Sequence, residues 1–434
     1  MTCPRDLLGS MESFLKRKEF IAVIGPRQSG KTTFLEILRE HLRRKMKIPD
    51  EAICYVTFED RRLLAQFEAE PVAFVRTFMP SGASRKLYLM IDEFQYAVEG
   101  GRKLKLIYDT MPDVKVIITG SSSLDIKAHV GKFMVGRTLS FHLYPFNFGE
   151  FLGARDKRAG RIYRGKSEQV IEWLKEGKDF KPDRGVDVFH EEMIRHYEEF
   201  CIWGGYPAIV LAEGSAVRKK LLADIYNNYI MKDIKTLLEL ATENNLYLLS
   251  QYLAAQVGNI AVYQNLSQAA HLDYRNIKKH LNILKETFVC REIRPFFTNR
   301  QKELTRNPKI FFMDMGFRNT LIENMVSLDK RPDAGAIAEN SVFIRLSQLL
   351  EDEEKINFWR TKVGAEVDFV LHREGRVIPV EVRFSPFDRE RISRSLASFI
   401  EAFKPERSMV LTKNYWGYLE KTSTKILFVP IYYL

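Results

Sequence analysis

"GPRQSGKTT", residues 25–33, follows the apolar run FIAVI and precedes FLEILREHL, a stretch with helical spacing and good helix formers. Gly25, Gly30, Lys31 and Thr32 satisfy G-x-x-x-x-G-K-[ST], between the strand and the helix that the motif's mechanism needs. Glycines let backbone N–H groups turn toward phosphate oxygens, and the start of the following helix adds positive potential. Lys31 then reaches the β and γ phosphates, and the Thr32 hydroxyl ligates magnesium. Gly25, Pro26, Arg27, Gln28, Ser29, Gly30, Lys31, Thr32 and Thr33 are therefore the candidate ATP contacts.

A phosphate loop needs a carboxylate on another strand, and KLYLMIDEFQY (86–96) supplies a buried-strand pattern ending at Asp92 and Glu93. Asp92 is expected to hold the magnesium through water and Glu93 to act as general base on the attacking water. DVKVIITGSSSL (113–124) reads as a third buried strand. In a doubly wound sheet its polar end, Thr119 to Ser123, lies beside the γ phosphate, with Ser121 the candidate sensor; equally, these serines cap the next helix. Arg137, in GRTLSFHLYPFNFGEFL (136–152), is the candidate arginine finger, because a guanidinium neutralises charge developing on a transferring phosphoryl group.

The whole chain, at 434 residues, has room for about three domains. Its 45% hydrophobic and 28% charged residues are an ordinary globular balance. Cys3, Cys54, Cys201 and Cys290 lie far apart without a C-x-x-C pair, so neither a zinc knuckle nor a disulfide framework is indicated, in keeping with a reducing cytoplasm. The sequence shows no cleavable signal pattern and no apolar run of about 18 residues, so no membrane insertion is expected. Lys and Arg number 67 against 56 Asp and Glu, and the net charge of +11 favours polyanions or is simply solvated surface.

The order of phosphate loop, MIDEFQ, IITGSSS, GR, YPFNFGEFL and WGGYPAIV (203–210) resembles that of the prokaryotic AAA-superfamily ATPases of the archaeal, STAND-related kind. The resemblance implies a parallel-sheet α/β core with a helical lid whose Gly205, Tyr206 and Pro207 pack near the adenine. Residues 154 to about 190, polar and charged, read as a lid insertion with a basic run from Arg155 to Arg164. Residues 265–304 read as helix, turn, helix and hairpin, the grammar of a winged helix. Ile277, Leu281, Leu284 and Phe288 form its apolar stripe, while Arg275, Lys278, Lys279 and Lys285 fall largely elsewhere. Such a basic helix lies in a groove of duplex DNA, with the ribbon from Arg294 to Lys302 reaching phosphates; the alternative is a protein-docking module.

The last hundred residues, with INFWRTKVGAEVDFVLHREGRVIPVEVRF (356–384), resemble the PD-(D/E)xK nuclease core. That resemblance implies Glu339, Asp368 and Glu381 as magnesium ligands. Arg383 stands where the family has lysine, supplying charge for DNA but no proton transfer, so cleavage is in question. The expected domains are an ATPase core (1–153), a helical lid (154–235), a winged helix (236–325) and an α/β restriction-endonuclease-like end (326–434). The expected function is a magnesium-dependent ATPase that binds duplex or branched DNA and couples hydrolysis to its processing, as a monomer or an oligomer. The alternatives are a STAND-like nucleotide switch acting on protein partners and an ATP-gated nuclease.

Overall fold

The structure, a computed structural model, describes residues 3–80, 86–121, 133–227, 243–297, 300–350, 354–373 and 375–434. It divides into two compact units, Met1–Phe146 with Glu286–Phe288, and Asn147–Lys285 with Val289–Leu434.

Five parallel strands build the first unit: β1 (Phe20–Ile24), β2 (Ile53–Thr57), β3 (Leu87–Asp92), β4 (Val114–Gly120) and β5 (Thr138–His142), in the order β2-β3-β4-β1-β5. β1, β3 and β4 are buried along their whole length, as a parallel sheet covered on both faces requires. The Lys31–Arg44 helix turns Phe34, Leu35, Leu38 and Leu42 into a core with Ile21, Val23, Met90 and Ile117. Phe58, Phe67 and Phe94 fill another cluster, with ring centroids 5.0 to 6.0 Å apart. Because β1 lies between β4 and β5, the chain leaves its C-terminal end at the point where strand order reverses, where such sheets bind ligands.

The second unit holds one mixed sheet of nine strands among the described residues. These are β6 (Gly185–Val186), β7 (Cys290–Pro295), β8 (Lys309–Phe312), β9 (Lys355–Arg360), β10 (Glu366–Arg373), β11 (Arg376–Arg383), β12 (Arg407–Thr412), β13 (Tyr415–Lys421) and β14 (Thr424–Pro430). Helices Glu243–Ala255, Tyr263–Ala270 and Tyr274–Glu286 precede the antiparallel β7/β8 pair. β7 also pairs in parallel with β9, and β6 pairs with β13. One sheet thus crosses the borders expected at 235/236 and 325/326, because an exposed strand edge is satisfied by whatever neighbour the fold brings to it.

Two local readings need correction. The polar, charged stretch after Ala154 is not uniformly solvated: Asp156 caps a helix over Lys157–Glu176 that buries Tyr163, Val170, Trp173 and Leu174. Two members of its basic run are paired, Arg155 3.2 Å from Glu199 and Arg158 2.8 Å from Glu192, while Arg161 and Arg164 are exposed. Phe288 does not extend the stripe of Ile277, Leu281 and Leu284. The helix ends at Glu286, and Phe288, at φ +62°, packs in the first unit against His142 and Tyr144.

Buried Asp314 organises the helices of the second unit. It caps the Met315–Leu321 helix through the Phe317 N–H at 2.8 Å and accepts from the Gly205 N–H at 2.7 Å. Gly204 has φ +77°, and a Cβ there would come within 2.3 Å of the Asp314 carboxylate; one on Gly316 would lie 2.0 Å from the Trp203 carbonyl oxygen. Burial pushes the Asp314 carboxyl up to about 6, although the Gly205, Phe317 and Gly316 N–H groups oppose the shift. A folded-state value above the unfolded one means stability that is full below about pH 3.9 and lost as pH rises through about 6. Urea unfolding at pH 4 and pH 7 should show wild type losing on the order of 2–3 kcal/mol relative to Asp314→Asn, whereas parallel profiles would contradict this environment.

Candidate functional site

The phosphate loop is shaped by packing before any ligand enters. A Cβ on Gly25 would lie 2.1 Å from the Leu143 carbonyl oxygen, so no larger residue fits there. Gln28 and Gly30 take positive φ, +61° and +90°, which folds the loop back onto the start of the Lys31–Arg44 helix. Among the described residues no side chain caps that helix, so its first N–H groups belong to the loop's concavity, the arrangement that cradles phosphate. The Lys31 ammonium is buried and donates to the Gly25 and Pro26 carbonyls, both at 3.0 Å. Burial lowers its pKa to about 8, and the charges of Glu93 and Asp92 pull the other way.

Asp92, 2% exposed at the end of β3, accepts from Thr32 Oγ1 at 2.6 Å, from Tyr55 OH at 3.1 Å and from Thr119 Oγ1. Neither Tyr55 nor Thr119 was singled out as a ligand of Asp92 by the motifs. The signal for Thr119 was its place at the polar end of β4, the strand between β1 and β3. Glu93 follows in a left-handed conformation, φ +56°, and its N–H faces Asp92 Oδ1 at 3.2 Å and Thr119 Oγ1 at 3.1 Å. Its side chain accepts from Gln95 Nε2, which also lies 3.3 Å from Ser121 Oγ. Ser122 and Ser123 lie outside the described residues. Thr32 and Asp92 present adjacent hard oxygen donors, the set that suits a magnesium ion completed by water and phosphate oxygens.

Arg137 is not a finger for this site in its own chain. It precedes β5, and its carbonyl accepts from Phe20 N–H at the start of β1. Parallel pairing puts it at the opposite end of the sheet, about 13 Å of strand from the loop. Its guanidinium lies 3.5 Å from Asp109 and over the Tyr108 ring. Tyr206 and Pro207 belong to the second unit: Tyr206 is buried and Pro207 opens the Pro207–Leu211 helix, beside the glycine pair that Asp314 holds.

Glu339 and Glu381 lie near enough to Asp368 for both charges to raise its pKa. Among the described residues no three His, Cys, Asp or Glu side chains are grouped to hold a metal ion. Instead Lys309 of β8, which sequence reasoning missed, sends its ammonium to Glu339 at 3.0 Å and Glu366 at 2.6 Å. Burial works against the Lys309 charge, but Glu339, Glu366 and Asp368 outweigh it and raise its pKa. Asp368 accepts from the Val382 N–H at 2.7 Å, and burial, then the charge of Glu339, pushes it up to about 7. Glu381 is buried and paired with the half-exposed Arg383 guanidinium. The one signal for Lys309 was a lysine at the head of the apolar run KIFF, which demands a buried partner.

On the Tyr274–Glu286 helix, Arg275, Lys278 and Lys279 are exposed, opposite Ile277, His280 and Leu281. Lys278 lies 4.4 Å from the centroid of the Tyr274 ring, itself 55% exposed. Lys285 and Arg294 are instead drawn to Glu292, at 3.3 and 3.0 Å. Thr298 and Asn299 of the expected ribbon lie outside the described residues.

With this geometry in hand, residues 17–152 match the AAA domain family. An AAA-type ATPase core is what the family match and the phosphate loop both support. Residues 194–328 and 334–433 match two domains of unknown function, DUF8612 and DUF4143. An uncharacterized protein of Haemophilus influenzae is 23% identical over 421 residues, covering 95% of this chain and 94% of its own length. One from Methanocaldococcus jannaschii is 23% identical over 395 residues, covering 88% and 79%. Among solved structures, a Walker-type ATPase of Pyrococcus abyssi is similar at 14% identity and a TM-score of 0.45, covering 74% of this chain and 96% of its own.

Removing the buried Lys309 charge leaves the half-buried Glu339 without its cation and Glu366 with Arg360 alone. Lys309→Met should cost about 3–5 kcal/mol in urea unfolding at pH 7, with Glu366→Gln in the same background recovering part of it. A variant as stable as wild type would mean the ion pairs are not formed.

Proposed function

We propose that this chain is a magnesium-dependent ATP hydrolase that acts while bound to DNA. The observation that supports it best is the convergence of Thr32, Asp92 and Glu93 beside a phosphate loop at the reversal point of a parallel sheet. Loop amides and Lys31 bind the β and γ phosphates; Thr32 and Asp92 would hold a magnesium ion, which would supply charge neutralisation. Glu93, one residue past Asp92, accepts the proton of the attacking water. No nuclease step is included, since Lys309 already serves as cation to Glu339 and Glu366. Glu93→Gln should bind a fluorescent ATP analogue as wild type does and lose turnover by about 10²-fold or more, since the amide keeps the shape but takes no proton. Wild-type turnover in that variant would refute the role.

The DNA part of the proposal places the three helices and the β7/β8 pair as a winged helix, with Arg275, Lys278 and Lys279 of the Tyr274–Glu286 helix on phosphates. Those cations are exposed and Tyr274 stands beside them, a basic and aromatic face suited to a polyanion. Reversing Lys278 and Lys279 to Glu should weaken duplex binding regardless of sequence and flatten the log–log salt slope by about 2. Fluorescence anisotropy from low to moderate salt reads this directly, and an unchanged slope would remove this helix from the interface. Stimulation of wild-type ATP turnover by duplex or four-way DNA tests the coupling.

A further inference from the structure

Glu93 alone does not explain how its carboxylate is aimed. Its backbone turns through φ +56° into the short Phe94–Tyr96 3-10 turn, and Phe94 is wholly buried among Phe58 and Phe67. Gly100 closes against the same ring, where a Cβ would lie 2.6 Å from Phe94. This packing fixes the turn and returns the Gln95 side chain to the carboxylate two residues before it.

We infer that Gln95 is a positioning residue for ATP hydrolysis: its amide nitrogen donates to Glu93 Oε2 and reaches Ser121 Oγ at 3.3 Å, tying the base to the end of β4. The inference rests on the ATPase reading above and adds a residue to it. An ionised carboxylate only accepts, so the amide's N–H side must face Glu93, and its two hydrogens suffice for both contacts. Ser121, 7% exposed, then accepts from Gln95 and keeps its own hydroxyl proton for an acceptor such as a phosphate oxygen. The same orientation leaves Gln95 Oε1 buried with no donor among the described residues. Gln95 thereby fixes one carboxylate oxygen and leaves the other for the proton.

The test is steady-state ATP turnover and equilibrium binding of a fluorescent ATP analogue for wild type, Gln95→Ala and Gln95→Glu. Both variants should lose kcat by about tenfold to a hundredfold, the scale of a misplaced catalytic group, with KM and analogue affinity within about twofold of wild type. Gln95→Glu keeps the shape but removes the donors, so wild-type kcat in it would overturn the inference, as would wild-type kcat in Gln95→Ala. A higher kcat in Gln95→Ala would also overturn it, since the contact would then restrain the base. Loss of analogue binding together with a lowered melting temperature would make the residue structural and overturn it too. Absence of turnover in wild type would instead strike the ATPase reading, a result distinct from all of these.

Discussion

The buried carboxylate of Asp92 is the constraint on which the first unit turns. It gathers the Thr32 hydroxyl from the helix after β1, Tyr55 OH from β2, the Thr119 hydroxyl from β4 and the Glu93 N–H from its own strand end. A buried charge without such partners costs several kcal/mol, so these four donors are needed wherever the strands stop. Meeting them demands that β2, β3 and β4 end level with one another and that the helix begin where the loop leaves it. The same four contacts that make the carboxylate tolerable therefore bring Thr32, Asp92 and Glu93 together. Stability and site geometry are here one requirement.

How much of this was legible depends on distance along the chain. The loop of residues 25–33 and the Asp92–Glu93 pair were readable because each motif is contiguous and its strand is a run of apolar residues. That Arg137 stands far from the loop of its own chain was not legible, because a residue's end of a strand is set by pairing direction, which the sequence around it does not carry. Tyr55 was missed for the same reason, since its place opposite Met90 is a fact of register between β2 and β3. The Lys157–Glu176 helix was passed over because its basic surface outweighed a sparse buried stripe of Tyr163, Val170, Trp173 and Leu174.

The second unit shows the limit more sharply. Glu339, Asp368 and Glu381 stood at the positions a resemblance assigns, yet the cation nearest Glu339 comes from β8, thirty residues upstream. Nothing near Glu339 forecasts Lys309, because the pairing of β7 with β9 that brings β8 into the sheet is a tertiary fact. A carboxylate motif therefore reports where acid is placed, while its chemistry is decided by which positive charge the fold delivers.

That principle separates the two acidic centres. At Asp92 the partners are hydroxyls and an N–H, which orient the carboxylate but add no charge, so a doubly charged ion with phosphate ligands is still attracted. At Glu339 and Glu366 the partner is a buried ammonium, reinforced at Glu366 by Arg360 at 3.2 Å, and a divalent ion arriving there would face two fixed cations. To enter it would first have to displace a lysine whose own desolvation is offset by those carboxylates together with Asp368. At the first centre the nearby ammonium, Lys31, donates to the loop carbonyls of Gly25 and Pro26 and leaves Asp92 to hydroxyls and an N–H; at the second the ammonium donates to the carboxylates themselves.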